Sequence, residues 1–484
     1  MNAEIRHPRG IYSLFLTEMW ERMSFHGMKV LLVLYLVDKT RGGKGYRDDE
    51  ALAILGLYTA LVYITALPGG WIGDRLLGAK RSVWWGGVFI ALGHLLLALE
   101  HDKAFYSGLI VIAFGSGMLK PNLSVMVAGL YPEGGTRRDA GFTLLYMGIN
   151  LGSLIGQIVC SNLGEHLGWR WGFSVAAAGM MLGLTQFKLS KEHLVGVGEW
   201  QPLPGQNVRR DWLLLISSLA LITFVAALCF GGVIMFDAIA VSRYSSAAII
   251  VLAVLFYGWA FLFGGLTGIE SRRMAVSVIL FIAAVLFFAG FAQGASSLVL
   301  FADRFTFREF GGGTLAAGMF QALNPIMVLI FSPVLVLLWG ALAKRKIEPP
   351  LAKKFAAGLL LLAASFALAS VAATRALAGG PVWPLWLVGV YFFITLGELC
   401  LSPVGLSAVT KLAPERLASR MMGIWFLATS LGYLLAGLIA GQMMGDATNQ
   451  MPVRFLVLGG VIGAAALLLL LLAKPIQRLI PGVK

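Results

Sequence analysis

Charge is scarce in this chain: Asp, Glu, Lys and Arg make up 13% of its 484 residues, where a soluble domain carries roughly 25%. Apolar runs recur along the whole length, which excludes a soluble protein with a single anchor. Cysteine is scarcer still. Cys160, Cys229 and Cys400 all lie in apolar stretches without paired spacing. That excludes a disulfide framework or a zinc site and leaves buried small residues. The chain has no HExxH pair, no nucleophile–base grouping and no metal-ligand set, so nothing points to an enzyme. Strict apolar–polar alternation, the mark of a membrane barrel, is missing from the long runs. No long basic run stands clear of the apolar segments. The net charge of +14 therefore reads as membrane topology, not as a nucleic-acid partner. The N-terminus lacks a short apolar run with a small-residue cleavage site and is expected to lead straight into the first helix.

What the chain does have is hydrophobic residues, 58% of the total. Lipid-exposed backbone must satisfy its own hydrogen bonds, so these runs are helices. The pattern predicts helices at 11–38, 48–76, 80–100, 103–130, 139–165 and 169–188. A polar segment follows at 189–210, then two further apolar runs at 211–235 and 245–267. The last group lies at 272–302, 314–343, 353–374, 382–410, 415–443 and 453–473. The expectation is an all-α polytopic membrane protein of about 14 transmembrane helices. Its parts are an N-terminal six-helix bundle (1–188), a cytoplasmic loop (189–210), an inserted helix pair (211–267) and a C-terminal six-helix bundle (268–484). With the N-terminus placed in the cytoplasm, about 24 of the 38 Lys and Arg fall on the cytoplasmic side and about 11 opposite. Arg137–Arg138, Arg209–Arg210, Arg272–Arg273 and Lys344–Arg345–Lys346 all land inside. An even helix count returns the C-terminus, with Lys474, Arg478 and Lys484, to the same side.

The informative residues are ions inside apolar spans, each costing on the order of 2.5–3.5 kcal/mol at the bilayer centre on insertion scales. The 11–38 segment holds Glu18, Glu21, Arg22 and Lys29, with His26 among them. Spacings of three, four and seven put Glu18, Glu21, Arg22 and Lys29 on much the same helical stripe, which must face a bundle interior. Lys120 lies in Gly115-Ser116-Gly117-Met118-Leu119-Lys120-Pro121-Asn122. The glycines there permit close helix packing, and Pro121 loosens the helix. A buried lysine either loses its proton or finds a carboxylate, and Glu18 and Glu21 are the expected partners. Such a pair is either a static lock between helices or a switch that protonation releases. Glu398 is the buried ion of the 382–410 segment.

Several separated motifs carry a family resemblance. The loop Gly70-x-x-x-Asp74-Arg75-x-x-Gly78-x-Lys80-Arg81 resembles the signature loop of the major facilitator superfamily, and Gly340-x-x-x-Lys344-Arg345 is its degraded echo. An aspartate at a helix end can face a neighbouring helix N-terminus, and the basic residues can anchor to headgroups. Thr17-Glu18-Met19-Trp20-Glu21-Arg22 resembles the ExxER motif of the proton-coupled oligopeptide transporter (POT/PTR) family, bacterial type. The stretches Phe114–Asn122, Phe142–Ser153, Phe320–Pro325, Gly397–Pro403 and Trp425–Phe426 are similar to that family's further signatures.

The resemblance implies the major facilitator fold and a proton-coupled symporter importing di- and tripeptides by alternating access. It implies no cofactor beyond the proton. Its partners would be small peptides, protons and membrane lipids, and the working unit a monomer in the bacterial cytoplasmic (inner) membrane. Within it, Glu18, Glu21 and Arg22 would couple protons with Lys120 as ion-pair partner. Arg22 and Lys120 would meet the peptide carboxylate, and Glu398 its amino terminus, near Asn324. Asn150 would bond the peptide backbone, and Lys29, Tyr63, Ser402 and Trp425 would complete the pocket. A zwitterion needs a cation and an anion at fixed separation, with looser walls for its side chains. In such transporters the site lies between the bundles near the midplane.

The chain departs from the family pattern in one region. Phe25, His26 and Lys29 stand where two tyrosines and an arginine are usual, and Ala292-Gln293 stands for Glu-Gln. Arg to Lys exchanges a bidentate fork for a point charge, and a histidine can titrate near neutral pH. His26 is thus a candidate for tuning pH dependence. These departures keep open a second cargo on the same fold: an amino acid, a modified peptide or an anion.

Overall fold

The structure is a computed structural model that describes residues 7–133, 135–202, 204–345, 349–445 and 448–480. Lys346 of the basic loop, the C-terminal Lys484 and the side chain of Pro403 lie outside the described residues. Among the described residues, eleven helices are long and apolar enough to cross a membrane. Three more, Arg9–Val37, Ala79–Leu97 and Trp169–Leu189, are also of spanning length and carry ionised residues. The shortest of these, Ala79–Leu97, has 19 residues, or about 28 Å of helix. Together they bring the bilayer-length helices to the expected number.

In chain order the helices are α1 (Arg9–Val37), α2 (Asp48–Leu77), α3 (Ala79–Leu97), α4 (Asp102–Gly129), α5 (Gly135–Asn162) and α6 (Trp169–Leu189). Next come α7 (Val208–Phe230) and α8 (Ala238–Phe263), then α9 (Gly268–Phe305), α10 (Leu323–Lys344), α11 (Leu351–Gly379), α12 (Leu385–Leu412), α13 (Ala418–Met444) and α14 (Met451–Leu471). The residues group into two compact units, Met1–Leu31 with Leu61–Val241, and Leu32–Ala60 with Ser242–Lys484.

Four local features depart from uninterrupted helices. In α2 the helix breaks at Thr65, because Pro68 three residues on has no N–H and crowds the carbonyl of Ile64. The Thr65 hydroxyl donates to Leu61 O at 2.9 Å and across to Ala113 O of α4 at 2.8 Å. In α9 the last turns pass through a 3₁₀ segment, Ala292–Ala295. The carbonyls freed there find side-chain donors, as a membrane interior requires: Ser296 Oγ donates to Ala292 O (2.9 Å) and Tyr391 Oη to Gly294 O (2.6 Å). After α9 a two-residue hairpin pairs Glu309–Phe310 with Gly313–Thr314. Gly311 and Gly312 both have positive φ, the tight-turn geometry that favours glycine; α10 therefore starts later than the run at 314 suggests. A short helix α15 (Ala473–Leu479) follows α14. Pro475 removes the N–H that would have extended α14 and sits comfortably in a first turn.

Glycines set the helix spacing within each unit. On α5, Gly148, Gly152 and Gly156 lie under Phe15, Met19 and Met23 of α1, so that a methyl at any of them would meet that helix. This four-residue glycine spacing is what lets α1 bury its charged stripe at close range. In the second unit Gly358 of α11 meets the backbone of Gly397 on α12, beside Glu398. Helix α7 buries almost nothing. It is tethered at its start, where Asp211 accepts from Gln206 (2.8 Å) and lies 3.6 Å from the Arg75 guanidinium.

Candidate functional site

Two clusters of buried ions stand out, one in each unit. In the first, Glu18 and Glu21 of α1 are both buried. Arg22 Nε lies 2.6 Å from Glu18 Oε1 and 3.0 Å from Glu21 Oε2. The spacing of four with the glutamate on the N-terminal side is the favourable helix orientation. Ser116 Oγ of α4 donates to Glu21 Oε1 at 3.3 Å, tying the two helices together. Two carboxylates thus share one guanidinium, and the group carries excess negative charge unless a proton is added.

Lys120 stands apart from its expected carboxylate partners. Its Nζ is buried without a hydrogen-bond partner, and among the described residues no carboxylate lies within ion-pair distance. It sits over aromatic rings, 4.1 Å from the centroid of Phe25 and 5.5 Å from that of Tyr63. The reason is competition. Arg22 grows from the same helix as both glutamates and presents a planar fork, so it takes them at little ordering cost. A desolvated cation–π contact returns about 2 kcal/mol, less than the burial penalty of roughly 2.5–3.5 kcal/mol for a mid-membrane lysine. Lys120 is therefore held, but not neutralised.

The remaining residues of this unit take supporting positions. Lys29 is buried two turns beyond Arg22 on α1. His26 is half-buried and packs edge-to-face on Phe25, centroids 5.1 Å apart. Asn150 is buried on α5, its amide donating to Tyr146 O one turn back at 2.9 Å. Of these, Phe25 becomes central: it contacts both Lys120 and His26.

In the second unit Asn324 Nδ2 donates to Glu398 Oε2 at 2.9 Å and to Thr395 Oγ1 at 3.1 Å. The stretch Ala317–Ala322 before α10 is a 3₁₀ turn, which sets Asn324 in the first turn of that helix. Among the described residues no cation pairs with Glu398. Ser402 is half-buried one turn further along α12. Trp425 of α13 is buried against Phe288 of α9 in an edge contact, centroids 6.2 Å apart, and fills the space beside Gly405 of α12. Behind them, at the interrupted end of α9, Ala292 is buried and Gln293 does the bonding. The Gln293 amide donates to Ala289 O (3.1 Å) and Ala436 O (3.2 Å), and its oxygen accepts from Ser297 Oγ (2.7 Å).

Ser116, Thr395 and Phe25 were not singled out as site residues from sequence. The first two had a signal: Ser116 lies four residues before Lys120, and Thr395 three before Glu398, so each shares a face with its ion. Phe25 registered only as a departure from tyrosine.

Known proteins align with this chain along nearly its whole length. A peptide transporter of Yersinia enterocolitica is 38% identical, over 98% of this chain and 95% of its own. A di-/tripeptide transporter of Lactococcus lactis is 33% identical, over 99% and 97%. The crystal structure of a peptide transporter POT in complex with alafosfalin superposes with a TM-score of 0.90 at 35% identity, covering 98% of this chain and 96% of that one. With the sequence profile described as POT family matching residues 80–455, and this helical architecture around buried ions, the chain belongs to the POT family of membrane transporters.

Proposed function

We propose that the protein is a proton-coupled symporter that imports di- and tripeptides by alternating access. The observation that carries the proposal is Lys120, a buried cation held on aromatic rings with no anion bound to it among the described residues. A peptide carboxylate supplies the missing charge, and the Glu398 carboxylate, held by a neutral amide, receives the peptide ammonium. Charge-assisted hydrogen bonds of this kind are about twice as strong as neutral ones. Asn150, Asn324 and Ser402 offer polar contacts to the peptide, while Lys29, Tyr63 and Trp425 shape the walls.

Proton coupling belongs to Glu18 and Glu21. Protonation of either carboxylate loosens the grip on Arg22 and frees the guanidinium for substrate or for reorientation. Because both contact Arg22, a change at one carboxylate alters the hold of the other on the guanidinium. Each inward charge gains about 2.3 kcal/mol per 100 mV, so a membrane potential drives the cycle. The two six-helix bundles are the moving bodies in this reading, and the inserted pair α7–α8 is peripheral. The protein works as a monomer in the bacterial inner membrane, with both termini in the cytoplasm, the orientation that the Lys and Arg distribution supports.

The test is uptake of labelled dialanine and trialanine into proteoliposomes under an inward proton gradient. Accumulation that collapses with a protonophore is expected; gradient-independent equilibration would refute symport. A second reading keeps the fold and changes the cargo to an amino acid, a modified peptide or an anion. It is favoured by Phe25, His26, Lys29 and Ala292, which differ from the family pattern. Competition by dialanine against alanine separates the two: peptide transport predicts displacement by dialanine alone.

A further inference from the structure

At one end of the first unit, α3 and α6 enclose an open cavity of about 460 Å³ that the transport cycle does not use. The two helices approach closely where Gly87 admits Leu184 and Met180. Its rim carries Lys80 and Arg81 from α3, Lys188 from α6 and Lys191 just past it, with one acid, Glu199. Among the described residues, Arg81, Lys188 and Lys191 have no ion pair or hydrogen bond, so Glu199 neutralises none of them.

The far wall is a strap, residues 194–200, fixed tightly to the start of α3. Lys80 N donates to Gly198 O at 2.9 Å and Lys80 Nζ to Leu194 O at 3.1 Å. The Lys80 ammonium keeps two protons free for another acceptor. Gly198 turns the strap through a positive φ, which brings Trp200 into the cavity wall. The Trp200 Nε1 is buried with no hydrogen-bond partner. Three unpaired cations and a partly used ammonium line one cavity beside an aromatic wall, which is the chemistry of an anion site.

The walls identify the anion. Trp84 and Phe187 line the cavity, and Trp85 and Leu182 are exposed on the same two membrane helices. Aromatic residues at a helix end mark the headgroup level of a bilayer, and basic pockets between transmembrane helices hold anionic lipid headgroups. We infer that this cavity is a binding site for the headgroup of an anionic glycerophospholipid, with the phosphate among Lys80, Arg81, Lys188 and Lys191 and the acyl chains along α3 and α6. On the orientation proposed above, the site faces the cytoplasmic leaflet.

Native mass spectrometry of the full chain in detergent, titrated with dioleoylphosphatidylglycerol, dioleoylphosphatidylcholine or inorganic phosphate, tests the inference. One phosphatidylglycerol is expected to stay bound under conditions that strip phosphatidylcholine, and to resist millimolar phosphate. The variant Arg81→Gln/Lys188→Gln/Lys191→Gln is expected to weaken it on the order of 100-fold. Arg209→Gln/Arg210→Gln, which removes charge outside the cavity, is expected to retain it. Lys188→Gln alone removes one of the three charges; roughly fivefold weaker binding is expected, and this milder change guards against misfolding of the triple variant. Equal retention of both lipids, or wild-type affinity in the triple variant or in Lys188→Gln, would overturn the site. Displacement by inorganic phosphate would overturn the lipid assignment in favour of a soluble anion.

Discussion

The two ion clusters solve the same problem in different ways. In the first unit, charge is crowded: Arg22 is shared by Glu18 and Glu21, and Lys120 is left to Phe25 and Tyr63. In the second unit charge is isolated: among the described residues Glu398 is bonded by the Asn324 amide, itself held by Thr395, and by no cation. Each arrangement leaves one ion cradled by a neutral group and, among the described residues, without an ion-pair partner, positive in one unit and negative in the other. The comparison teaches that burial here is not minimised. On the proposed function, a ligand of the opposite sign would offset the burial penalty of each of these charges.

The largest expected effect comes from emptying the cationic side. Lys120→Ala should abolish gradient-driven peptide uptake and weaken peptide binding by roughly 30-fold or more, since losing one member of a buried charge pair costs about 2–5 kcal/mol. Retention of full uptake would sink the scheme. Glu398→Gln keeps the Asn324 contact and removes the charge; it should raise the half-saturating concentration of free-amine peptides about tenfold or more. The readout is concentration-dependent uptake, where an unchanged half-saturation would break the symmetry between the clusters.

The cradles should matter less than the ions. Phe25→Leu removes the nearer cation–π face and should weaken peptide binding by less than about 30-fold, the equivalent of up to ~2 kcal/mol. Asn324→Ala leaves the Glu398 carboxylate without its amide donor and should cost several-fold, on the order of 1 kcal/mol, read by the same binding assay. The smallest effect belongs to His26→Asn. It should displace the pH profile of uptake while leaving the maximal rate near that of the native protein. If the profile stays where it was, His26 is only a packing partner of Phe25.

Much of the architecture was legible because lipid leaves the backbone few choices. Helix number followed from apolar run length, and the buried stripe of α1 from spacings of three, four and seven. The interruption near Ala292 was not legible, because it depends on Gln293 and Tyr391 reaching carbonyls from elsewhere in the fold. Nor was the hairpin at Glu309–Thr314, although its paired glycines carried a turn signal. At the site, the ions themselves were readable, since an ion in an apolar run is conspicuous. Their partners were less so. Charge sign alone suggested a carboxylate for Lys120. The aromatic cradle depends on which ring of α1 and α2 faces α4, and that is a property of packing. Glu398 shows the opposite case: Asn324 was expected near it, and the structure places the amide 2.9 Å away.

The central claim is that Lys120 and Glu398 each read one terminus of the substrate. The most direct measurement is the affinity of dialanine, N-acetyl-dialanine and dialanine amide for the native protein, Lys120→Ala and Glu398→Gln in one binding assay. The account predicts a crossed pattern: acetylation weakens binding to the native protein but not further in Glu398→Gln, and amidation weakens it but not further in Lys120→Ala. If both modifications cost the same in all three proteins, the two ions do not read the peptide termini and the claim is wrong.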